Sequence, residues 1–283
     1  MSDQSSTERV WLITGTSQGF GRELVAAALE RGDKVVATSR SPQKVAAEFP
    51  EAGDRLLALS MDLRDEKQIA TVVENAVKRF GRIDVLINNA GHGLIGAIEE
   101  ASESEVNGLF EVNVFGLLRV TRAVLPLMRK QGRGHIVNLS SVSGLIGSPG
   151  FGIYNATKFA VEGLSEALAQ EVRPLGIGLT IVEPGPFRTA FLGGSIAQTK
   201  SVLPEYEPTA GKSRAYQKNN DGSQPGDPVL GATAIIDAVT SDKPPLRLLL
   251  GASAYQRAQK KLTDLKAEFE AWRDVSLATD FAQ

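Results

Sequence analysis

The fold is decided by the stretch Trp11-Leu-Ile-Thr14-Gly15-Thr-Ser-Gln-Gly19-Phe-Gly21, an apolar run followed by a glycine-rich turn and the start of a helical pattern. Glycine allows a sharp turn and a close approach of backbone N–H groups to a phosphate, and a helix N-terminus attracts anions. The glycine spacing, three residues and then one, differs from G-x-G-x-x-G and is weak evidence by itself. Placed after the first strand of a βαβ unit, it predicts a dinucleotide site; a purely structural strand-to-helix turn is the alternative.

Short apolar runs rich in β-branched residues alternate with longer helical patterns along the chain. The predicted strands are Val10–Thr14, Lys34–Ser39, Leu56–Ser60, Val85–Asn88, His135–Ser140, Gly178–Val182 and Leu246–Leu250. The predicted helices are Arg22–Arg31, Glu66–Phe80, Val106–Lys130, Tyr154–Arg173 and Val229–Val239. This alternation, in a chain of 283 residues with 42% hydrophobic content, predicts one α/β domain over residues 1–283. We expect a Rossmann-like doubly wound sheet of seven parallel strands with helices on both faces.

Two regions fall outside this alternation. Residues 193–227 are rich in Gly, Pro, Ser, Lys and Asn, which predicts a mobile substrate loop; a merely variable surface loop is the alternative. The tail, residues 252–283, is predicted to be helical. It places Leu262, Leu265, Phe269 and Trp272 at i, i+3, i+7 and i+10, which makes one apolar stripe. We expect this stripe to pack on the domain or on a partner subunit.

Composition argues against several classes of function. The 31 basic and 33 acidic residues are interspersed and give a net charge of −2, which does not suit a nucleic-acid or anionic-membrane surface. Cysteine is absent, and the two histidines, His92 and His135, lack metal-ligand spacing, so we predict no disulfide, thiolate nucleophile or metal site. The polar N-terminus and the lack of an apolar run of about 20 residues lead us to expect a cytoplasmic protein without a membrane span.

Tyr154 and Lys158 are four residues apart, so a helix would place their side chains on one face. A free tyrosine has a pKa of about 10, and lowering it by roughly 3 units requires about 4 kcal/mol, which a neighbouring ammonium and an oxidised nicotinamide can supply. Ser141 lies thirteen residues upstream, after an apolar strand-like run. With the glycine turn, these residues predict a nicotinamide-dependent oxidoreductase. For the Tyr–Lys pair alone, an aromatic and a solvated lysine on a surface helix are the alternative.

The second predicted strand ends in Thr38-Ser39-Arg40 rather than in a carboxylate. A carboxylate at this point accepts hydrogen bonds from the adenosine ribose and favours NAD, whereas an arginine can form charge-assisted hydrogen bonds with the 2'-phosphate of NADP. We therefore predict NADP as the cofactor, with a solvated surface arginine as the alternative interpretation.

From about Val10 to Leu250 the chain resembles the short-chain dehydrogenase/reductase family, in its core, single-domain branch. The motifs that carry the resemblance are Thr14-Gly15-x3-Gly19-x-Gly21, Asp62, Asn88-Asn89-Ala90-Gly91, Asn113, the trio Ser141, Tyr154 and Lys158, and Pro184-Gly185 with Thr189. One departure is Thr157, which stands where the family usually has serine. The segment 183–191 and the loop after it are most similar to those of steroid- and retinoid-type members.

The resemblance implies hydride transfer between a nicotinamide C4 and a carbonyl carbon, as in a carbonyl reductase. Tyr154 would exchange a proton with the substrate oxygen, Ser141 would stabilise developing charge on that oxygen, and Lys158 would lower the tyrosine pKa and hold the nicotinamide ribose. Asn113 would kink its helix and anchor a water that leads to Lys158. The expected cofactor contacts are Gly15, Ser17, Gln18, Gly19, Phe20, Gly21, Arg40, Asp62, Asn89, Ala90, Gly91, Tyr154, Lys158, Pro184, Gly185 and Thr189.

The sequence indicates less about the substrate and the oligomeric state than about the cofactor. Phe187, Phe191 and Leu192 either form an apolar wall for a moderately hydrophobic ketone, aldehyde or alcohol, or belong to the core. The resemblance implies a homodimer or homotetramer packed through the long helices that begin near Val106 and Tyr154. Two other functions stay open: a non-catalytic NADP-binding redox sensor, which would not need the Tyr–Lys pair, and an epimerase or dehydratase, which usually needs a larger substrate domain.

Overall fold

The computed structural model describes residues 8–281. The strands are β1 Val10–Thr14, β2 Lys34–Ser39, β3 Leu56–Ser60, β4 Val85–Asn88, β5 Gly93–Ile95, β6 Gly134–Leu139, β7 Ile177–Pro184, β8 Ile196–Gln198 and β9 Arg247–Leu250. The α-helices are α1 Gly19–Glu30, α2 Pro42–Glu48, α3 Glu66–Phe80, α4 Glu103–Phe110, α5 Leu117–Gln131, α6 Gly152–Val172, α7 Lys212–Asn220, α8 Pro228–Thr240, α9 Ala252–Ala271 and α10 Arg273–Leu277. None of these helices is both long and apolar enough to cross a membrane.

Seven of the strands form one parallel sheet in the order β3-β2-β1-β4-β6-β7-β9. Side chains alternate along a strand, so Trp11 and Ile13 of β1 pack in the layer on one face of the sheet and Leu12 packs on the other. All three are fully buried, as expected for a parallel sheet covered on both faces. The predicted doubly wound fold is confirmed. The first four predicted strands keep their bounds, and the other three shift by two residues or fewer.

Helices cover both faces of this sheet. On one face, α1 and α8 contribute Leu24 and Ile235 to the layer around Trp11. On the other, α3 and α5 contribute Ile69 and Val120. Each helix therefore buries one apolar stripe against the sheet, and this burial is the main force that holds the strands in place.

The bounds of α3 follow from its two ends. At the N-terminus the Asp65 carboxylate accepts hydrogen bonds from the backbone N–H groups of Lys67 and Gln68, at 2.9 and 3.2 Å. These donors have no partner inside the helix, so the cap stabilises the first turn. At the C-terminus Gly81 adopts a left-handed conformation with φ 78°, which glycine reaches without steric cost.

The order of the strands places a crevice beside β1. The chain runs from β1 outward to β2 and β3, and then returns to the opposite side of β1 for β4. The loops after β1 and β4 therefore diverge, and ligands of such sheets bind between them at the carboxyl ends of the strands. Thr14 ends β1 and Asn88 ends β4, so two of the sequence motifs lie at this crevice.

One predicted helix is interrupted. The helical pattern predicted one helix over Val106–Lys130, and the family resemblance implied a kink at Asn113; in the structure α4 ends at Phe110 and a wider π-helical turn, Glu111–Gly116, precedes α5. Within this turn the Asn113 amide is buried and hydrogen-bonds to the backbone of His92 in another segment. This tertiary contact favours the wider turn over regular helix geometry.

The segment 193–227 contains more regular structure than its composition predicted. It includes β8, which pairs in parallel with β5, and the helix α7. The buried amide of Gln217 on α7 donates to the Leu192 carbonyl at 2.8 Å and accepts from Gln198 at 2.8 Å. These hydrogen bonds tie α7 to β8, so polar residues that suggested a loop are structural in this segment.

The C-terminal tail is helical, as predicted, but its apolar stripe does not pack on the domain. Leu262, Phe269 and Trp272 are 62%, 70% and 67% exposed, and only Leu265 is half-buried. The first turns of α9 do pack on the domain, through the buried Ala254 and Ala258. Of the two expected partners for the stripe, the domain does not fit most of it, and packing on a partner subunit stays a prediction.

Candidate active site

A cleft of about 1400 Å³ opens at the carboxyl ends of the central strands. Its walls contain the glycine-rich turn after β1 together with Ser141, Tyr154 and Lys158. Every residue predicted for the site lines this cleft except Gly21 and Asn113, which are buried behind its wall. One cavity therefore unites motifs that are more than a hundred residues apart in the sequence.

The turn after β1 needs its glycines for two different reasons. Gly15 and Gly19 have φ values of 71° and 58°, a region that L side chains rarely adopt. Gly21 has an ordinary backbone, but a Cβ there would lie 2.2 Å from the Gly15 carbonyl oxygen and 2.6 Å from Asn89 Nδ2. The first two glycines shape the turn, and the third allows the helix to pack closely against it.

Hydrogen bonds join this turn to the loop after β4. The Thr14 hydroxyl accepts from the backbone N–H groups of Asn89 and Ala90, each at 3.0 Å. The Asn89 amide donates back to the carbonyl oxygens of Thr14 and Gly15, at 2.8 and 3.0 Å. Asn89 therefore holds the two loops together at the wall of the cleft.

The neighbouring Asn88 has a different place. Its buried amide donates to Thr121 and Asn138, each at 2.9 Å, below the floor of the cleft. It links the ends of β4 and β6 to α5, which is a structural contact.

At the end of β2, Arg40 lies exposed on the cleft wall and makes no ion pair within residues 8–281. Nearby Asp62 is held by Arg64, whose Nε and Nη2 donate to the carboxylate at 2.9 and 2.6 Å. This contact lowers the pKa of Asp62 to about 2. Because Arg64 neutralises the carboxylate, the charge of Arg40 makes this end of the cleft positive.

Tyr154, Lys158 and Ser141 meet in the middle of the cleft. The Lys158 ammonium lies 5.8 Å from the centre of the Tyr154 ring and donates to the Leu139 carbonyl, at the end of β6, at 2.7 Å. The Ser141 hydroxyl accepts from the Ser143 backbone N–H at 3.1 Å. The helix α6 thus sets the Tyr–Lys spacing, and the end of β6 positions both the lysine and the serine.

Burial dominates the ionisation of the pair. It raises the pKa of Tyr154 to about 12, and the facing Ser141 hydroxyl acts in the opposite direction. Burial also lowers the pKa of Lys158 to about 8, while the charge of Glu162 raises it. At neutral pH the tyrosine therefore holds its proton and the lysine is still charged, which is the arrangement of a general acid beside a cation.

Asn113 lies behind the pair. Its Oδ1 accepts from the His92 backbone N–H at 3.0 Å, and its Nδ2 donates to the His92 carbonyl at 2.8 Å and to Thr157 Oγ1 at 3.2 Å. The Thr157 hydroxyl in turn donates to the Tyr154 carbonyl at 2.8 Å. The threonine that departs from the family pattern thus connects Asn113 to the backbone of α6.

Aromatic residues frame the Tyr154 side of the cleft. The rings of Phe191 and Phe151 lie 5.6 and 6.5 Å from the Tyr154 ring. Phe187 instead packs on Phe20 at 4.9 Å and joins the core of the sheet. All three residues considered for the apolar wall, Phe187, Phe191 and Leu192, line the cleft; Phe191 also contacts Tyr154, whereas Phe187 also packs on the core.

Sequence reasoning missed an acidic cluster beneath Lys158. Glu162, one helical turn further along α6, and Glu183 on β7 are both buried and share Arg247 as a hydrogen-bond donor. Burial and the charge of Glu162 raise the pKa of Glu183 to about 7. The i+4 spacing of Lys158 and Glu162 was a usable signal, but the pairing with Arg247 depends on the fold.

The sequence is similar to a known protein family and to curated oxidoreductases. Residues 9–200 match the model described as short chain dehydrogenase. The curated oxidoreductase BOA17 of Botryotinia fuckeliana is 38% identical over 272 residues, which cover 96% of this chain and 99% of that protein. The similarity to BOA17 therefore extends over nearly the full length of the chain.

Two solved structures are similar to the fold. A short-chain dehydrogenase from Streptomyces avermitilis is 43% identical and has a TM-score of 0.90, with coverage of 97% of this chain and 100% of that one. A short-chain dehydrogenase/reductase from Burkholderia phymatum, solved in complex with NAD, is 26% identical, with a TM-score of 0.81 and coverage of 92% and 95%. The chain belongs to the short-chain dehydrogenase/reductase family of oxidoreductases.

Proposed function

We propose that the protein is an NADP(H)-dependent carbonyl reductase that interconverts a moderately hydrophobic ketone or aldehyde and its alcohol. The observation that carries the proposal is the convergence of Tyr154, Lys158 and Ser141 in the same cleft as the glycine turn. A redox sensor without catalysis would need the turn but would have no use for a buried tyrosine held 5.8 Å from an ammonium.

The cleft fits a dinucleotide. The turn at Gly15 and Gly19 lies on the cleft wall at the N-terminus of α1, and it suits a pyrophosphate because backbone N–H groups there can approach an anion. Next to the Tyr–Lys pair, a Cβ at Gly91 would lie 3.1 Å from Asn113 Oδ1, a tight contact, so glycine lets this part of the wall pack closely against Asn113. The remaining proposed contacts are Ser17, Gln18, Phe20, Asn89, Ala90, Pro184, Gly185 and Thr189, all on the cleft wall.

The preference for NADP over NAD rests on Arg40. Its guanidinium is exposed on the wall and has no carboxylate partner in the described chain, so it is available for a 2'-phosphate. Asp62, which is fully ionised with a pKa of about 2, is already paired with Arg64 and does not oppose that phosphate with a free charge.

A bound nicotinamide supplies or accepts the hydride at its C4. The chain provides the proton and the electrostatic environment. Tyr154, with a pKa of about 12, is protonated at neutral pH and donates to the substrate oxygen in the reductive direction. Lys158 stabilises the resulting phenolate, and the Ser141 hydroxyl donates to the substrate oxygen as charge develops on it. Asn113 acts as a positioning residue through Thr157 and the backbone of α6.

We also propose a cytoplasmic homodimer or homotetramer. Phe159 on α6 and Phe115, in the widened turn between α4 and α5, are each 46% exposed, on or beside the long helices expected to pair between subunits. Exposed aromatic rings of this kind are typical of covered surfaces in assemblies. Light scattering on the purified protein tests this part directly, and a monomer at micromolar concentration would contradict it.

NADPH consumption against a panel of ketones and aldehydes graded by size and polarity tests the proposal, with NADH in parallel. Arg40→Ala should raise the KM for NADPH about tenfold and leave the KM for NADH unchanged, since a charge-assisted hydrogen bond contributes about 1.5 kcal/mol. Lys44→Ala removes the same charge at an exposed position off the cleft wall and serves as the control. A preference for NADH in the wild type would contradict the cofactor assignment, and tight NADPH binding without turnover of any substrate would favour the sensor.

A further inference from the structure

The wall of the cleft contains a cation that the proposed chemistry does not use. Arg257 on α9 lines the cleft and is partly buried. One of its five N–H groups donates to the Ser148 hydroxyl, from Nη2 at 3.1 Å. The ion pairs of the same tail, Lys260–Asp264 and Arg273–Asp274, leave Arg257 without a carboxylate in the described chain.

Arg257 lies on a packed part of α9, and its hydrogen-bond partner Ser148 is itself held in place. On the α9 side, Ala254 and Ala258 flank Arg257 and are buried, and a Cβ at Gly185 would lie 3.2 Å from the Ala254 backbone nitrogen. On the other side, the Ser148 backbone N–H donates to Asn155 Oδ1 at 3.0 Å. Since Asn155 follows Tyr154 on α6, two hydrogen bonds connect Arg257 through Ser148 to the residue after the proposed catalytic tyrosine.

The carboxylates on the cleft wall do not compensate this charge. Asp62 pairs with Arg64, Glu111 pairs with Arg119, and Glu105 accepts from Ser102 and from the Lys200 backbone. Partly desolvating a guanidinium without an anionic partner is unfavourable, and the free donors of Arg257 suit a bidentate acceptor.

The cleft wall around Tyr154 contains several apolar side chains. Phe151 and Phe191 pack around the tyrosine ring, and Leu94 and Ile196 line the same cleft. A substrate that satisfies all these groups has its carbonyl at Tyr154, an apolar body along this wall and an acceptor at its far end.

We infer that the substrate is an anionic ketone or aldehyde, with an apolar body and a carboxylate or phosphate group that binds Arg257. This inference rests on the proposed function and adds the chemical class of its substrate. It also predicts discrimination against substrates with a cationic end, because an ammonium would face the guanidinium.

The first test compares three methyl ketones of equal chain length that end in a methyl, a carboxylate or an ammonium group. In the wild type, kcat/KM for the carboxylate should exceed that for the neutral ketone about tenfold, and the ammonium ketone should be poorest. Arg257→Gln should remove this preference through KM, leave kcat unchanged and alter neutral-ketone turnover by less than about twofold, because the contact is remote from the reacting atoms. Phosphate-ended ketones distinguish the two anion classes.

Lys266→Gln, an exposed charge further along α9, is the matched control and should leave the preference intact. A second readout does not depend on turnover: calorimetric binding of octanoate and octanamide in the presence of NADP. Octanoate should bind about tenfold more tightly than octanamide in the wild type and equally in Arg257→Gln. Equal binding of the two in the wild type, or reduction of neutral ketones with no anion preference, would overturn the inference and leave the proposed function standing. If the wild type turned over none of the ketones but still bound octanoate more tightly than octanamide, the proposed function alone would be overturned.

Discussion

Replacing Gly21 by alanine tests the geometry of the glycine turn without changing charge. The new Cβ would lie 2.2 Å from the Gly15 carbonyl oxygen, whereas ordinary contacts begin near 3.4 Å, so the turn and helix must separate by roughly 1 Å. It would also lie 2.6 Å from Asn89 Nδ2, which donates to the same carbonyl. Overpacking of this kind typically costs about 1–3 kcal/mol. We expect a folded protein whose phosphate-facing turn is displaced.

Weaker NADPH binding by Gly21→Ala should reduce the increase in Tm that NADPH produces. At a concentration of about 100 times Kd, a ligand stabilises the folded state by about 2.7 kcal/mol, which raises the Tm of a domain of this size by roughly 5 °C. If Gly21→Ala weakens binding about a hundredfold, the same NADPH concentration gives about 0.4 kcal/mol and a shift of less than about 1 °C.

The assay is thermal unfolding with and without NADPH, with circular dichroism to confirm folding of the variant. Gly163→Ala is the matched control: this glycine lies on α6, is exposed, and a Cβ there meets nothing within 4 Å. It should keep the full NADPH shift and gain up to about 1 kcal/mol of stability from better helix propensity. A folded Gly21→Ala protein with the wild-type NADPH shift would refute the reasoning.

Two further predictions concern pH. Glu162→Gln removes a charge that raises the pKa of Lys158, so the alkaline limb of the pH–rate profile should move to lower pH. The control, Glu166→Gln, removes another contact of Arg247 at an exposed position and should leave the alkaline limb in place. Equal shifts in both variants would contradict the prediction. Burial lowers the pKa of His135 to about 4, so the neutral imidazole contributes stability above pH 6.5 that is lost as pH falls toward 4. The free energy of unfolding, measured in urea, should therefore fall by about 2 kcal/mol less in His135→Gln than in the wild type between pH 7 and 4.5. An equal fall in the two proteins would contradict this prediction.

Residues at strand ends and on one helix face could be predicted from the sequence. Tyr154 and Lys158 share a face because helical geometry fixes the i and i+4 positions, and α6 does contain both. The apolar run of β1 and the turn after it are likewise local patterns, so their bounds could be placed before the fold was known. Residues predicted from such local patterns lie together at the site because the carboxyl ends of parallel strands meet at the same edge of the sheet.

Contacts between distant segments left no such pattern. The three residues of β8 pair with β5 about a hundred positions earlier, from Gly93 opposite Ile196, and three-residue strands carry no readable periodicity. The widened turn at Asn113 arises from hydrogen bonds to His92, which only the fold brings near. No sequence pattern predicted Arg257 as a site residue, since its place on the cleft wall depends on how α9 packs after β9.

The central claim is that Tyr154 gives a proton to a carbonyl oxygen while hydride is transferred from NADPH. The most direct measurement follows deuterium from NADPH labelled at both C4 positions into the alcohol product, in the wild type and in Tyr154→Phe, with NADPH affinity measured for both. The account predicts one deuterium on the former carbonyl carbon in the wild type, and in the variant a rate lower by about a thousandfold with Kd within about twofold. Near-normal deuterium transfer by Tyr154→Phe, or no deuterium in the product of the wild type, would contradict it.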